Sequence, residues 1–490
     1  MEDGVPGCFS FLRRRPAAAA VPAPPQPAQH PHTHYTPPDA LCIGSCDFPL
    51  PASEGGELDW NWNWSWNGHQ PGSPGAAPPP KYSPGQGHAY AFDEAATATV
   101  EETIERISAE LRVLSLKIHD HPELAFQEKY AHDVLTEFME SHGFEVTRHY
   151  LGLETAWLAT VTVRSGGRTL GFNSEMDSLP GIGHACGHNL IAIGGVAAAI
   201  GVATALKKHN LPGTVSLIGT PAEEGGGGKI ILLEKGAYDG FAACLMIHPG
   251  PGPARSTGVG SSLAIERIEA EFAGHTAHAS AAPWEGRNAL DAAFVSYSAI
   301  SALRQQVKPT HRIHGVVQGK DWAANIIPDY AKMTYIIRAP TYTEVEALAP
   351  RLKACFEAGA HATATKVTFG APTTMYDLFQ NGALIAEYRR VCEGRYGMSV
   401  STAQEGAIGG STDFGNVSYA VPGLHPAFAI PTVQNGGNHT RLFADAAGTK
   451  EAHEATLFAA KGIALAGLRV LLDKEFADQV MQDFKAGKPQ

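Results

Sequence analysis

The sequence predicts an α/β protein in which a central mixed sheet is flanked by helices and a smaller ferredoxin-like domain is inserted. Short apolar runs alternate with helical segments between residues 96 and 257. From 258 to 370 the predicted order becomes strand, helix, strand, strand, helix, strand, which is the split-βαβ pattern. A chain of 490 residues is also too long for one hydrophobic core. We therefore expect one domain formed by 96–257 and 371–490, and a second formed by 258–370.

The predicted elements depend on the spacing of apolar residues. In 103–118 an apolar residue recurs every three or four positions, which is helical spacing. Further helices are predicted at 128–140, 190–207, 288–305, 344–358, 384–396 and 451–472. Strands are predicted at 156–163, 169–173, 215–220, 242–247, 262–272, 312–318, 332–338 and 366–369. Residues after 371 can join the earlier strands only if the insert loops out of one continuous domain.

Residues 1–95 differ from the rest of the chain because Pro, Ala and Gly dominate them. Such a composition buries too little apolar surface to fold, so we expect a disordered tail. Within it, Trp60, Trp62, Trp64 and Trp66 alternate with polar residues. This run is either low-complexity sequence or a docking peptide, and Cys8 beside three arginines is a candidate lipid acceptor.

Composition excludes several classes of function. A net charge of -12 argues against a nucleic-acid partner. No stretch approaches 18 consecutive apolar residues, so no membrane span is expected, and the N-terminus does not resemble a secretory signal. Seven cysteines, an odd and sparse set, favour a reducing compartment, and we expect a cytoplasmic protein.

The most informative stretch is 184–189, where Cys186 and His188 flank Gly187. Thiolate and imidazole are ligands of transition metals. A glycine between them lets the backbone bend so that both side chains face one ion. His184 is a weaker candidate that lines the pocket. A lone cysteine is usually a small buried apolar residue, but the two histidines around this one favour a ligand.

Two carboxylates follow the predicted strand at 215–220. Glu223 and Glu224 are adjacent, so one can bind a metal while the other faces a water molecule. Strand ends in α/β sheets are where active sites assemble. His248 ends the next predicted strand, and Pro249 fixes the turn after it. The sequence therefore predicts a metal-dependent hydrolase.

Six stretches together resemble the aminoacylase/carboxypeptidase family of di-metal peptidases: 119–124, 175–180, 184–189, 221–228, 248–250 and 438–440. They are more narrowly similar to its amidohydrolase branch, which includes hippurate, aminobenzoyl-glutamate and auxin-conjugate hydrolases. The forms at 184–192 and 411–416 are most similar to the β-alanyl-lysine dipeptidase type. The resemblance implies a metallopeptidase domain with an inserted lid or dimerisation domain, and it covers about 100–450. The tail has no counterpart in it.

The resemblance also implies roles for individual residues. Two divalent ions are expected, with zinc favoured by the thiolate ligand and manganese or cobalt as alternatives. The implied metal ligands are Cys186, His188, Glu224, His248 and His439. The implied catalytic residues are Glu223 as general base, Asp177 as the residue that orients a ligand histidine, and His278, which reaches the scissile carbonyl of a dimer partner. The implied substrate-binding residues are Asn325, Arg338 and His278.

The expected substrate is a small peptide or an N-acyl amino acid, and a homodimer is expected. One departure concerns Asn189, since most of the branch has aspartate there. Two alternatives stay open at this point. Cys186 could be the nucleophile of a thiol hydrolase with His184 or His188 as its base. The scaffold could also serve a non-catalytic binding or regulatory protein.

Overall fold

The computed structural model describes residues 94–402 and 409–487. The helices are α1 (Glu94–Arg106), α2 (Ser108–His119), α3 (Lys129–Ser141), α4 (His188–Lys208), α5 (Gly228–Glu234), α6 (Ala289–Leu303), α7 (Tyr342–Ala362), α8 (Gly382–Tyr396), α9 (Phe414–Ala420), α10 (Arg441–Ala447), α11 (Lys450–Leu472) and α12 (Lys474–Gly487). The predictions for the tail, its tryptophan run and Cys8 fall on residues before 94, outside this part of the chain.

The strands are β1 (Glu145–Arg148), β2 (Trp157–Val163), β3 (Thr169–Glu175), β4 (Gly213–Thr220), β5 (Phe241–Leu245), β6 (His248–Pro251), β7 (Ser256–Val259), β8 (Ala264–Ala273), β9 (Arg312–Gly319), β10 (Tyr330–Ala339), β11 (Lys366–Phe369), β12 (Thr373–Met375), β13 (Ser399–Thr402), β14 (Gly423–Leu424) and β15 (Ala427–Ile430). They form three sheets.

The largest sheet has six strands in the order β1-β2-β4-β3-β5-β14. β3 runs parallel to β4 and β5, and β14 runs parallel to β5. β2 is antiparallel to both of its neighbours, so the sheet is mixed, as predicted. A second, four-stranded sheet has the order β13-β7-β15-β6. The carboxyl ends of β3 and β4 lie side by side and carry the loops of the site.

Two long apolar helices pack on the main sheet and form its core. α4 is buried along almost its whole length, because its Ala, Gly, Ile and Val residues are apolar on every face. α11 packs beside it and is mostly buried. Both are long and apolar enough to cross a bilayer, but 94% and 78% of their apolar windows are buried inside the fold. This burial is typical of core helices.

The third sheet has the order β11-β8-β10-β9, and its fifth strand, β12, also pairs with β8. Every pairing in it is antiparallel. α6 and α7 pack on this sheet and form a separate hydrophobic core with it. The order of strands and helices agrees with the split-βαβ prediction. The exact limits at 258 and 370 stay a prediction.

Two local predictions were wrong. The helix predicted at 103–118 is two helices, α1 and α2, with a bend at Ile107 (φ -90°, ψ 3°). Apolar spacing does not reveal the bend, because the same buried face continues through it. Ile104 before the bend, Ile107 at it and Leu111 after it are all fully buried. His248 does not end a strand, since β5 stops at Leu245 and His248 opens β6 in the four-stranded sheet. Pro249 therefore lies in an edge strand, where proline is tolerated.

Candidate metal centre

The loop between β3 and α4 ends in Cys186 and Gly187, and His188 opens α4. Gly187 precedes α4 with φ +82°, a conformation that residues with a side chain rarely adopt. A Cβ at this position would lie 2.5 Å from the Cγ of Pro249. Both the φ angle and the close approach of β6 require glycine here. The sequence prediction of a bend between the two candidate ligands is therefore confirmed.

Asp177 lies within hydrogen-bond distance of His188. Its Oδ1 lies 3.1 Å from Nδ1 of His188, and its Oδ2 accepts a hydrogen bond from the backbone N–H of Glu224 at 3.0 Å. Burial alone would lower the pKa of His188, but Asp177 and Cys186 hold that pKa well above its usual value. Nε2 of His188 is buried and has no hydrogen-bond partner among the described residues. That nitrogen is free for a metal ion.

His248 presents its other nitrogen to Cys186. Its Nδ1 lies 2.8 Å from the carbonyl oxygen of Pro249, so Nδ1 carries the proton and donates. Its Nε2 lies 3.3 Å from the Sγ of Cys186. Burial lowers the pKa of His248, which favours the neutral imidazole that binds metals.

His439 comes from the segment before α10, after the insert. Its backbone N–H donates to the carbonyl of Ala185 at 2.8 Å, and its Nε2 lies 3.4 Å from Oε1 of Glu224. The hydrogen bond and charge of Glu224 raise the pKa of His439. A residue that follows the predicted insert thus lies at the same site as the loop between β3 and α4.

Two of the three groups of potential ligands among the described residues share Cys186. Cys186, His188 and His248 have ligand atoms within 4.8 Å of one another, and so do Cys186, Glu224 and His439. Burial raises the pKa of the Cys186 thiol to about 12. A divalent cation would favour the thiolate and the nearby carboxylates, and a shared thiolate is suited to hold two ions. The chemistry of this donor set thus fits a two-ion centre.

Glu223 forms the third group, with Glu175 and His188. Its Oε2 is 3.9 Å from Nε2 of His188, and the residue is 7% exposed. Burial and the neighbouring carboxylates of Glu175 and Glu224 raise the pKa of Glu223 well above its usual value. A carboxylate of raised pKa accepts a proton more readily than an ordinary one, as a general base requires.

A buried charge network adjoins the centre, and sequence reasoning missed it. Nζ of Lys229 lies 2.6 Å from Oε1 of Glu175 and 2.6 Å from Oδ1 of Asp413, and all three side chains are 0% exposed. Oε2 of Glu175 lies 3.4 Å from Nε2 of His188. One signal was available, because Lys229 directly precedes the apolar run 230–233 and follows four glycines, a position where burial of its side chain could be expected.

The predicted substrate residues lie on the insert. Arg338, near the end of β10, donates from Nη1 to Oγ of Ser411 at 2.9 Å, and its charge acts to lower the pKa of His439. His278 and Asn325 are exposed, and within the described chain they form no hydrogen bond or ion pair with the ligand groups. Arg338 is thus brought towards the centre, whereas His278 and Asn325 are not. His184 is buried beside His119 and belongs to none of the three ligand groups.

The chain matches known proteins over most of the described part. Residues 171–442 match the peptidase family M20/M25/M40. The chain is 40% identical over 406 residues to the Xaa-Arg dipeptidase of Homo sapiens, across 79% of this chain and 90% of that protein. It is 26% identical over 460 residues to one of the subunits of the p-aminobenzoyl-glutamate hydrolase of Escherichia coli, across 78% of this chain and 94% of that one.

Solved structures agree on the fold. A dinuclear metal-binding M20-family peptidase of Bacillus subtilis covers 75% of this chain and 99% of its own, with a TM-score of 0.56 and 23% identity. An aminobenzoyl-glutamate utilization protein of Klebsiella pneumoniae covers 76% of this chain and 99% of its own, with a TM-score of 0.62 and 18% identity. At these identities the likeness establishes the fold.

Proposed function

The chain belongs to the peptidase family M20/M25/M40 and is a hydrolase, and we propose that it cleaves the amide bond of a dipeptide or N-acyl amino acid at the centre described above. One observation carries the proposal. Cys186 is shared by two of the three groups of potential ligands, and the carboxylate of Glu223, which belongs to the third group with Glu175 and His188, lies beside them. Cys186, His188 and His248 would hold one ion, and Cys186, Glu224 and His439 the other. We propose zinc, because the shared ligand is a thiolate.

Divalent ions held there supply an activated water and polarise the amide carbonyl. Glu223 takes a proton from the attacking water as the water oxygen bonds to the carbonyl carbon. The C–N bond then breaks, and Glu223 delivers the proton to the leaving amine nitrogen. Asp177 keeps His188 oriented throughout through its bond to Nδ1. The high pKa of the buried Cys186 thiol disfavours the thiol-hydrolase alternative, which needs a thiolate nucleophile.

For the substrate we propose a dipeptide with a C-terminal basic residue. The support is the 40% identity to a protein named Xaa-Arg dipeptidase. Arg338 stands beside Ser411 at the edge of the centre and is suited to bind the substrate carboxylate. N-acyl amino acids form the second class to be tested, since the aminobenzoyl-glutamate hydrolase is also similar.

We propose a homodimer in which His278 of one protomer reaches the centre of the other. Nδ1 of His278 faces the backbone amides of Ser280 and Ala281 at 3.3 and 3.2 Å, which leaves Nε2–H free to donate to an oxyanion. The insert exposes apolar side chains on α6 and β9 that a second copy would cover: Phe294, Val295, Tyr297 and Val316. The scarcity of cysteines supports a cytoplasmic location, and the four described cysteines are all free.

Metal content and turnover together test the function. Purified protein is analysed for metals and assayed on Xaa-Arg, Xaa-Lys and N-acyl amino acid panels, before and after chelation. We expect two ions per chain, activity lost with them, and activity restored by zinc or manganese. Glu223→Gln should keep its metals and lose at least about 100-fold in kcat. A metal-free protein that metals do not activate on any substrate refutes the proposal.

Mixing two inactive variants tests the dimer. His278→Ala and Glu223→Gln are co-expressed, so that about half of the dimers are mixed in a two-fold assembly. If His278 acts across the dimer, each mixed dimer has one complete centre, and about a quarter of wild-type activity returns. If His278 acts within its own chain, every centre stays defective and no activity returns.

A further inference from the structure

The segment 122–128 lies between α2 and α3. Residues 122–124 belong to the stretch 119–124 that resembles the family, and the proposed chemistry assigns this stretch no role. It carries two acids, Glu123 and Glu128. Their atoms reach two of the loops that form the centre, the one at Asp177 and the one at Glu223.

Glu123 ties the Asp177 loop to the start of α3. Its side-chain oxygens accept hydrogen bonds from the backbone N–H groups of Tyr130 and Ala131 at 2.9 and 3.0 Å. These are first-turn amides, which have no partner inside the helix. Its backbone carbonyl accepts from the N–H and the hydroxyl of Ser178 at 2.8 and 2.9 Å. The residue next to Asp177 is thereby fixed to a helix end.

Glu128 reaches the other loop with its side chain. Its Oε1 accepts from the backbone N–H of Ala222 at 2.9 Å and from that of Phe126 at 3.0 Å. Its Oε2 accepts from the hydroxyl of Thr155 at 2.7 Å. The residue is 0% exposed, so these three donors replace water for a buried carboxylate. Glu128 makes no side-chain bond to α3, which separates its role from helix capping.

Ala222 is held in a strained conformation just before Glu223. Its φ is +58°, in the left-handed region that residues with a side chain adopt at a cost. Its carbonyl accepts from the N–H groups of Gly226 and Gly227, both at 2.9 Å. Glu128 holds the N–H of the same residue, so hydrogen bonds on both sides fix its backbone. Strain of this kind persists only where surrounding bonds determine the conformation.

We propose that Glu128 is a positioning residue that fixes the backbone at Ala222 and thereby the direction in which the Glu223 carboxylate points. The inference rests on the proposed role of Glu223 as general base. A turn that relaxes at Ala222 would move the following side chain, and a displacement of about 1 Å at a reacting group can reduce the rate about 100-fold. The backbone N–H of Glu224 donates to Asp177, so this metal ligand would stay in place with those on other loops.

Three substitutions of Glu128 test the inference. Glu128→Gln keeps an oxygen that can accept from both amides, and should retain kcat within about threefold of wild type. Glu128→Asp keeps the charge but withdraws the carboxylate by about 1.5 Å, one C–C bond. Glu128→Ala removes the acceptor. The last two should lower kcat about 100-fold, with KM within about threefold and two ions still bound. Thr155→Val, which removes only the bond to Oε2, is the matched control and should keep kcat.

The comparison of Asp with Gln decides between geometry and charge, and it stays available if Glu128→Ala does not fold. The inference is overturned if Glu128→Gln loses as much kcat as Glu128→Asp. It is also overturned if Glu128→Asp retains the kcat of the wild type. Hydrogen exchange of the peptide at 221–228 gives a readout independent of catalysis. The amide of Ala222 should exchange at least about tenfold faster in Glu128→Asp and stay protected in Glu128→Gln. If the wild type hydrolyses nothing, the proposed function fails, while the exchange result still decides whether Glu128 fixes the turn.

Discussion

Lys229→Met should destabilise the protein strongly, because Lys229 is the cation between two buried carboxylates. Glu175 and Asp413 each lie 2.6 Å from its Nζ, and none of the three side chains is exposed. Methionine has a similar length, so packing is largely kept while the charge is lost. Removing one partner of a buried ion pair typically costs about 3–5 kcal/mol. We therefore expect the free energy of unfolding to fall by about 3–5 kcal/mol in this variant at pH 8.

The loss should depend on pH in a defined direction. In the wild type, burial opposes the ionised form of Glu175, but Lys229 and His188 outweigh burial and lower its pKa below 4.5. Without Lys229 the folded state of the variant binds protons at Glu175 and Asp413 more tightly than the unfolded state does. The variant then loses stability as pH rises above the unfolded carboxyl values, so its deficit should be smaller at pH 5 than at pH 8.

Urea unfolding of the metal-free proteins at pH 5 and pH 8, followed by circular dichroism, measures both effects. Lys129→Met is the matched control, since Lys129 and Glu154 form an ion pair that is 65% exposed on each side. That control should leave the unfolding midpoint unchanged. A Lys229→Met protein within about 1 kcal/mol of wild type at pH 8 would refute the reasoning, because a buried carboxylate without a cation costs more than that.

Two further substitutions give quantitative expectations. Burial, and then the charge of Arg112, lower the pKa of His453 from 6.5 to about 4, so the folded state resists protonation and the protein loses stability as pH falls from 6.5 towards 4. Between pH 7 and pH 5 the free energy of unfolding, measured by urea titration, should fall by about 2 kcal/mol less in His453→Gln than in the wild type. An equal fall in the two proteins would contradict this. Gly187→Ala should lose bound metal at least about tenfold more readily in chelator competition, because its Cβ meets Pro249 and the turn carrying two ligands must shift. Gly397→Ala also has a positive φ, but nothing lies within 4 Å of its Cβ, and it should retain metal like the wild type.

Much of the centre could be predicted because its chemistry is local. Cys186 and His188 are two positions apart, and Glu223 and Glu224 are adjacent, so residue type and spacing alone indicated ligands. The end of a strand is also readable from an apolar run, and this placed the glutamates at the edge of the main sheet. His439 was harder, since only the resemblance to a family singled it out among 22 histidines.

By itself the sequence determined the types of ligand, their order along the chain, the mixed α/β fold and the split-βαβ insert, because periodicity and residue chemistry are properties of short stretches. Only the tertiary structure decided which nitrogen of His248 faces Cys186, that His248 opens a strand of a second sheet, and that Lys229 meets Glu175 and Asp413. These depend on contacts between residues far apart in the sequence, such as Lys229 and Asp413, which are 184 positions apart. Packing of α4, α11 and the sheets sets those distances, and no local pattern encodes them.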